Sequence, residues 1–162
     1  MEPILTLESI HTFIGQFHIL EGVSITVPRD SITVLLGRNG AGKTTLMRIL
    51  YGLYHQDSGQ INIEGNPVNI HSPKDAIALG IGMVTQHFAL VPPMSVAENV
   101  VLGYTGGFLL NQAKIEEQVA DAISRFGMEL NPRAQVRHLS VGQRHRVEIL
   151  KALYRNARVL IL

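Results

Sequence analysis

The sequence has no cysteine at any of its 162 positions. That removes disulfide frameworks and thiolate metal sites, and it agrees with a reducing compartment. A charge excess is also missing: 14 Lys and Arg against 13 Asp and Glu leave a net charge of +1. A chain this close to neutral has no broad polyanion-binding surface, so no nucleic acid is expected as a partner. No apolar run approaches the roughly 18 residues of a membrane span. The first residues lack a basic segment followed by an apolar run, so no secretory signal is read. Membrane association would therefore come through a partner. There is no internal repeat and no low-complexity tract. The seven histidines are scattered, and none stands at metal-ligand spacing from a second donor. His138 and His145 read as a solvated helix face, and Arg144, Arg146, Lys151, Arg155 and Arg158 as a polar face rather than a nucleic-acid patch.

What is present describes a globular domain with a real core. Hydrophobic residues make up 46% and charged residues 17%, a balance seen in folded chains and not in disordered ones.

The sharpest local feature is Gly37-Arg38-Asn39-Gly40-Ala41-Gly42-Lys43-Thr44. It fits the phosphate-loop pattern. Ile32-Thr33-Val34-Leu35-Leu36 before it is β-branched and apolar and predicts a buried strand. After it, Leu46, Ile49, Leu50 and Leu53 recur at helical spacing and predict a helix from about Lys43 to Leu53. Glycines let such a loop curl until successive N–H groups face phosphate oxygens, and the helix start adds partial positive charge. Lys43 would reach the β- and γ-phosphates of a nucleotide, and the Thr44 hydroxyl would ligate Mg²⁺.

Around this motif the pattern alternates between strand and helix. Ile4 to Glu8 and Val23 to Val27 read as strands, and Pro28 to Ser31 as a turn. Gln60 to Glu64 and Pro67 to His71 read as two strands joined through Gly65-Asn66. Ser72 caps a helix with Pro73 at its first position. Gly82 to Thr85 is a short strand ending at Gln86. Beyond the break at Pro92-Pro93 the composition turns helical. Ser95 and Glu98 form a capping box. Ile115, Val119, Ala122 and Phe126 share one face, and Gly127 ends that helix. A last helix starts near Ser140 and carries Val147, Leu150 and Tyr154 inward. Arg158 to Leu162 reads as a core strand, and such a strand normally leads to a further element. The expectation is a domain that continues past Leu162.

Leu139-Ser140-Val141-Gly142-Gln143 is the second motif. Ser140 and Gln143 form a local Ser-x-x-Gln capping box. The same residues, with the opened backbone at Gly142, make a helix N-terminus able to hold an anion.

Together these motifs, in this order, resemble the nucleotide-binding domain of ATP-binding cassette (ABC) proteins over nearly the whole chain. Gly37 to Thr44 matches the family's Walker A loop, Gln86 its Q-loop glutamine, and Leu139 to Gln143 its signature, with Val141 where Gly is commoner. The resemblance implies an α/β P-loop NTPase with a RecA-like core, an antiparallel β subdomain and a helical signature subdomain, truncated before Walker B. Residues 1–90 and 156–162 would form the core and β parts, and about 91–155 the helical part. It implies ATP and Mg²⁺ as ligands, with Phe13, Gly37, Arg38, Asn39, Gly40, Ala41, Gly42, Lys43, Thr44 and Thr45 holding the nucleotide. Phe13 stands where the family stacks an aromatic residue on adenine, with Phe17 as a rival. Lys43 and Gln86 would carry catalysis, and Thr44 and Gln86 the metal. Ser140, Gly142 and Gln143 would grip the nucleotide of a second ABC domain in a head-to-tail pair.

Tyr51-Gly52-Leu53-Tyr54, Ser72 to Ala76, Gly80 to Val84, Gln86-His87-Phe88 and Val147 to Arg155 narrow the likeness to the simple-sugar and nucleoside importers. Leu-Ser-Val-Gly resembles the nucleoside branch more than the ribose branch. The implied partners are transmembrane permease subunits, reached through a segment stiffened by Pro92 and Pro93, and, indirectly, a periplasmic or lipoprotein substrate-binding protein. The implied location is peripheral, on the cytoplasmic face of the membrane. A soluble ABC switch acting on ribosomes or DNA would carry a more basic chain and inserted charged arms, and a non-functional remnant is the third reading. The family's Walker B aspartate and catalytic glutamate would follow Leu162, so the chain by itself is expected to hydrolyse ATP little and to be poorly soluble or partly disordered. Asp30-Ser31 replaces the family's usual Gly-Glu, with no consequence assigned.

Overall fold

The computed structural model describes residues 2–85, 89–104 and 111–162. They divide into two compact units, one running to Ile81 and including Ile161, the other spanning Gly82 to Leu160 and including Leu162.

The first unit is built on an antiparallel sheet. Strands β1 (Pro3–Ile14) and β2 (Phe17–Pro28) form a long hairpin, followed by helix α1 (Lys43–Leu50), strands β3 (Ser58–Ile63) and β4 (Asn66–Val68), and helix α2 (Pro73–Ala78). The sheet order is β2-β1-β3-β4. Both hairpin strands run well beyond their alternating cores at Ile4 to Glu8 and Val23 to Val27, because cross-strand pairing extends from Pro3↔Pro28 to Ile14↔Phe17. Alternation buries Leu5 and Leu7, and a register shift between Leu7 and Ile10 buries Ile10; Leu46, Ile49 and Leu50 of α1 and Ile61 and Ile63 of β3 are buried as well. The β3–β4 turn is Glu64-Gly65, one residue earlier than the sequence suggests. Both residues have positive φ, 49° and 76°, as a tight two-residue hairpin requires. Ser72 caps α2 as expected, accepting from the Asp75 N–H, with Pro73 in the first turn.

Strand β4 ends at Val68, short of the His71 read from the sequence, and two further expectations fail here. Ile32 to Leu36 forms no strand. Ile32 is 94% and Leu36 85% exposed. A strand exists only through its hydrogen-bonded neighbours. An apolar β-branched run can call for them, but no described residue pairs with this one. Helix α1 also stops at Leu50 and leaves Leu53 half exposed. The chain turns at Gly52, with φ at +74°, so Leu53 never completes the buried helical face.

The second unit is largely helical. It holds Gly82 and Met83 of β5 (Ile81–Met83), α3 (Val96–Val101), α4 (Gln112–Arg125), a 3-10 turn (Val136–His138), α5 (Val141–Tyr154) and Val159 and Leu160 of β6 (Val159–Ile161), and β5 pairs with β6. Its core joins Val96, Val100 and Val101 of α3, Ile115, Val119 and Ile123 of α4, and Val147 and Leu150 of α5. Ala122, Phe126 and Tyr154 pack against it partly buried. Gly82 is a close-approach position: a Cβ there would stand 2.9 Å from the Ala152 Cβ and 3.1 Å from that of Ala157.

Candidate nucleotide site

In the first unit, Gly42 is the N-cap of α1 with φ at +89°, a conformation glycine adopts without strain. A Cβ on it would lie 2.6 Å from Leu20 Cδ2 and 3.2 Å from the Ile19 carbonyl. The loop is therefore seated on β2 in a way that only glycine allows. The α1 start has no side-chain cap and no acidic residue in its first turn. Helix starts leave N–H groups without helical partners, and no side chain caps them here, an arrangement that with the helix dipole suits an anion. Arg38 O accepts from the Ala41 N–H at 3.2 Å, closing the turn through Asn39 and Gly40. Lys43 Nζ donates to the carbonyls of Gly37 at 2.6 Å and Arg38 at 2.8 Å. Its ammonium thus bends back over the loop instead of extending into solvent. Thr44 is exposed and Thr45 half-buried beside it. Loop, lysine and uncapped helix start fit a polyphosphate. The described residues contain no cluster of three or more His, Cys, Asp or Glu suited to a metal ion.

At the free end of the same hairpin, Phe13 is 51% and Phe17 65% exposed. Phe13 pairs across the strands with His18, and the two rings stack at 4.1 Å between centroids and 8° between planes.

The second unit holds the other motif. Ser140 caps α5 through a complete capping box: Ser140 Oγ accepts from the Gln143 N–H at 3.3 Å, and Gln143 Oε1 accepts from the Ser140 N–H at 2.9 Å. A Cβ on Gly142 would meet nothing within 4 Å, so that side of the helix start is open. Val141 beside it is 64% exposed. Gln86 lies outside the described residues.

Asn99, Glu148 and His18 escaped sequence reading, and Lys151, read there as part of a polar face, is partly buried and bonded to a loop carbonyl. Asn99 is fully buried and ties the Val91–Ser95 loop together. Its Oδ1 accepts from the Val91 N–H at 2.7 Å, and its Nδ2 donates to the carbonyls of Val91, Met94 and Ser95. Glu148 is 7% exposed and accepts the Ala89 N–H at 2.7 Å, while Lys151 donates to the Ala89 carbonyl at 3.4 Å. One turn of α5 therefore grips both backbone groups of Ala89. Burial, helped by the nearby Arg155 charge, pushes the Lys151 ammonium below its ordinary range, against the opposing pull of Glu148. A signal existed for these: Asn99 and Glu148 each interrupt an apolar run, as a buried hydrogen-bonding residue does. His18 had no such signal, because its role depends on the strand register.

The ABC transporter family profile matches residues 20–162. The chain is 43% identical over 165 residues to the ribose import ATP-binding protein RbsA of Caldanaerobacter subterraneus subsp. tengcongensis, covering 100% of this chain and 33% of that protein. It is 40% identical over 163 residues to the guanosine import ATP-binding protein NupO of Bacillus subtilis, covering 99% and 32%. The chain thus spans about a third of the length of these curated relatives. Among solved structures, the ADP conformation of an ATP-binding cassette of an ABC transporter matches with a TM-score of 0.85 and 26% identity, covering 99% of this chain and 68% of that one. A nucleotide-free cassette matches at 0.83 and 26%, covering 98% and 67%. With this mixed α/β fold and these neighbours the chain is a P-loop NTPase domain in part, and it belongs to the ABC transporter family.

Proposed function

We propose that this chain is the ATP-binding part of a subunit that energises import of a sugar or nucleoside through a membrane permease. The observation that carries the reading is the loop from Gly37 to Lys43, with Gly42 seated on β2 and the lysine ammonium folded over the loop carbonyls. On binding ATP, Lys43 exchanges those carbonyls for the β- and γ-phosphates. Gly37, Arg38, Asn39, Gly40, Ala41, Gly42, Thr44 and Thr45 line the triphosphate with amides and hydroxyls, and the adenine rests on Phe13. A bound Mg²⁺ would supply neutralisation of charge developing on the phosphates. Its protein ligands would be Thr44 and Gln86, and Gln86 would also orient the attacking water. Ser140, Gly142 and Gln143 serve a second nucleotide, held by another ABC domain in a head-to-tail arrangement. Residues 1–90 and 156–162 act as the core and β parts, and about 91–155 as the helical part. The partners are the permease and, through it, a substrate-binding protein, with the chain peripheral on the cytoplasmic face.

The cargo class follows the relatives, whose names include ribose, glucose, guanosine and nucleoside import. Ribose and nucleoside importers match at nearly equal identity, and uptake of labelled ribose against labelled guanosine by the intact transporter distinguishes the two cargoes.

Calorimetric titration with ATP and Mg²⁺ tests the nucleotide reading. The wild-type chain binds. Lys43→Ala removes charged hydrogen bonds worth about 1.5–3 kcal/mol each, a loss on the order of 100-fold in affinity. Equal affinity in both proteins overturns the assignment.

A further inference from the structure

We propose that His18 is a positioning residue for the nucleotide base: it backs the Phe13 ring from the neighbouring strand and holds it as a fixed platform for a purine, an inference that rests on the nucleotide reading above.

An exposed phenylalanine at a hairpin end would ordinarily sample several rotamers, and fixing it on binding costs affinity. Here the cost is already met by the fold. The imidazole of His18 lies parallel to the Phe13 ring, 4.1 Å away and tilted by 8°. His18 is held in turn. Its Nε2 lies 3.1 Å from His11 Nδ1, a distance that needs one proton between the two nitrogens. The two imidazoles also overlap at 5.2 Å and 23°, and Glu21 stands 3.8 Å from the other nitrogen. The Phe13 backbone is pinned as well. Its N–H donates to Asp57 Oδ2 at 2.7 Å, and the Asp57 N–H donates to the His11 carbonyl at 2.8 Å.

The result is a ladder of three rings, His11, His18 and Phe13, with half of Phe13 still exposed. Phe17 has no ring partner among the described residues, which favours Phe13 as the platform. The ladder also stands beside the phosphate loop. Gly42 is seated against Ile19 and Leu20, the residues that directly follow His18 on β2. One short stretch of strand therefore sets both the base platform and the phosphate cradle.

The test compares ATP with inorganic tripolyphosphate, which reads the loop without the base. Both are titrated into the 162-residue chain and its variants in the presence of Mg²⁺. His18→Ala should weaken ATP about five- to tenfold, within the range of a lost base–aromatic stack, and leave tripolyphosphate unchanged. His18→Phe, which restores a flat ring, should recover most of the loss. In a Phe13→Ala background His18→Ala should have no further effect, because His18 acts through Phe13. Unchanged ATP affinity in His18→Ala overturns the inference, as does equal weakening of ATP and tripolyphosphate, which marks a general scaffold role. If the wild-type chain binds neither ligand, the nucleotide reading itself falls. The two failures are thereby told apart.

Discussion

Asn99 offers the most direct test of how the second unit is held together. It has no solvent exposure, and its side chain meets the Val91–Ser95 loop at four points. Replacing it with alanine does not orphan every partner. The Val91 carbonyl keeps the Met94 N–H, the Met94 carbonyl keeps the Val136 N–H, and the Ser95 carbonyl keeps the Asn99 N–H. Only the Val91 N–H is left without an acceptor, and a buried orphan donor costs about 1–3 kcal/mol. The lost secondary bonds add roughly 0.5 kcal/mol each. The expected destabilisation for Asn99→Ala is therefore about 3 kcal/mol. Urea denaturation followed by far-UV circular dichroism should show a midpoint lower by about 1.5 M at a slope of about 2 kcal/mol/M. Hydrogen exchange should speed up at the Val91 amide. Asn99→Asp should be no better at neutral pH: it keeps the acceptor for Val91 but turns a charged oxygen toward three carbonyls. Its deficit should shrink in acid, where a protonated carboxyl can donate again. A loss below about 1 kcal/mol for Asn99→Ala, with Val91 still protected, would refute this account of the loop.

Gly42→Ala places a Cβ against Leu20 and the Ile19 carbonyl at φ +89°, so it should cost about 1–3 kcal/mol and weaken ATP binding in the same titration. Glu148→Ala strips the Ala89 N–H of its acceptor and should destabilise by about 2 kcal/mol, whereas Glu148→Gln keeps an acceptor and should cost less; equal melting temperatures for the two variants would count against the clamp. The Ser72 hydroxyl, and then the His71 N–H, hold the Asp75 carboxyl below the usual carboxylate range. Its folded value is depressed, so its stabilisation is complete above the ordinary Asp range and is lost as pH falls through the folded value. Asp75→Asn should flatten that acid limb in a melting series from pH 6 to about pH 3, and an unchanged limb would remove Asp75 as its source.

The sequence alone determined the pieces whose causes are local. Caps at Ser72, Ser95 and Ser140 need only residues three positions apart, and all three form as read. The phosphate loop was legible because glycine spacing and one lysine are its chemistry. Helical periodicity placed Val119, Val147 and Leu150 in the core. Tertiary structure decided whatever depends on a distant partner. Ile32 to Leu36 has the composition of a buried strand and lies exposed, since composition cannot provide hydrogen-bonding neighbours. The pairing that sets Phe13 on His18 follows from a register that runs the length of β1 and β2, bulges included. Asn99, Glu148 and Lys151 find their acceptors and donors only after helices bring loops to them. Local propensity writes elements into a chain; only burial and pairing between remote segments choose which polar groups meet.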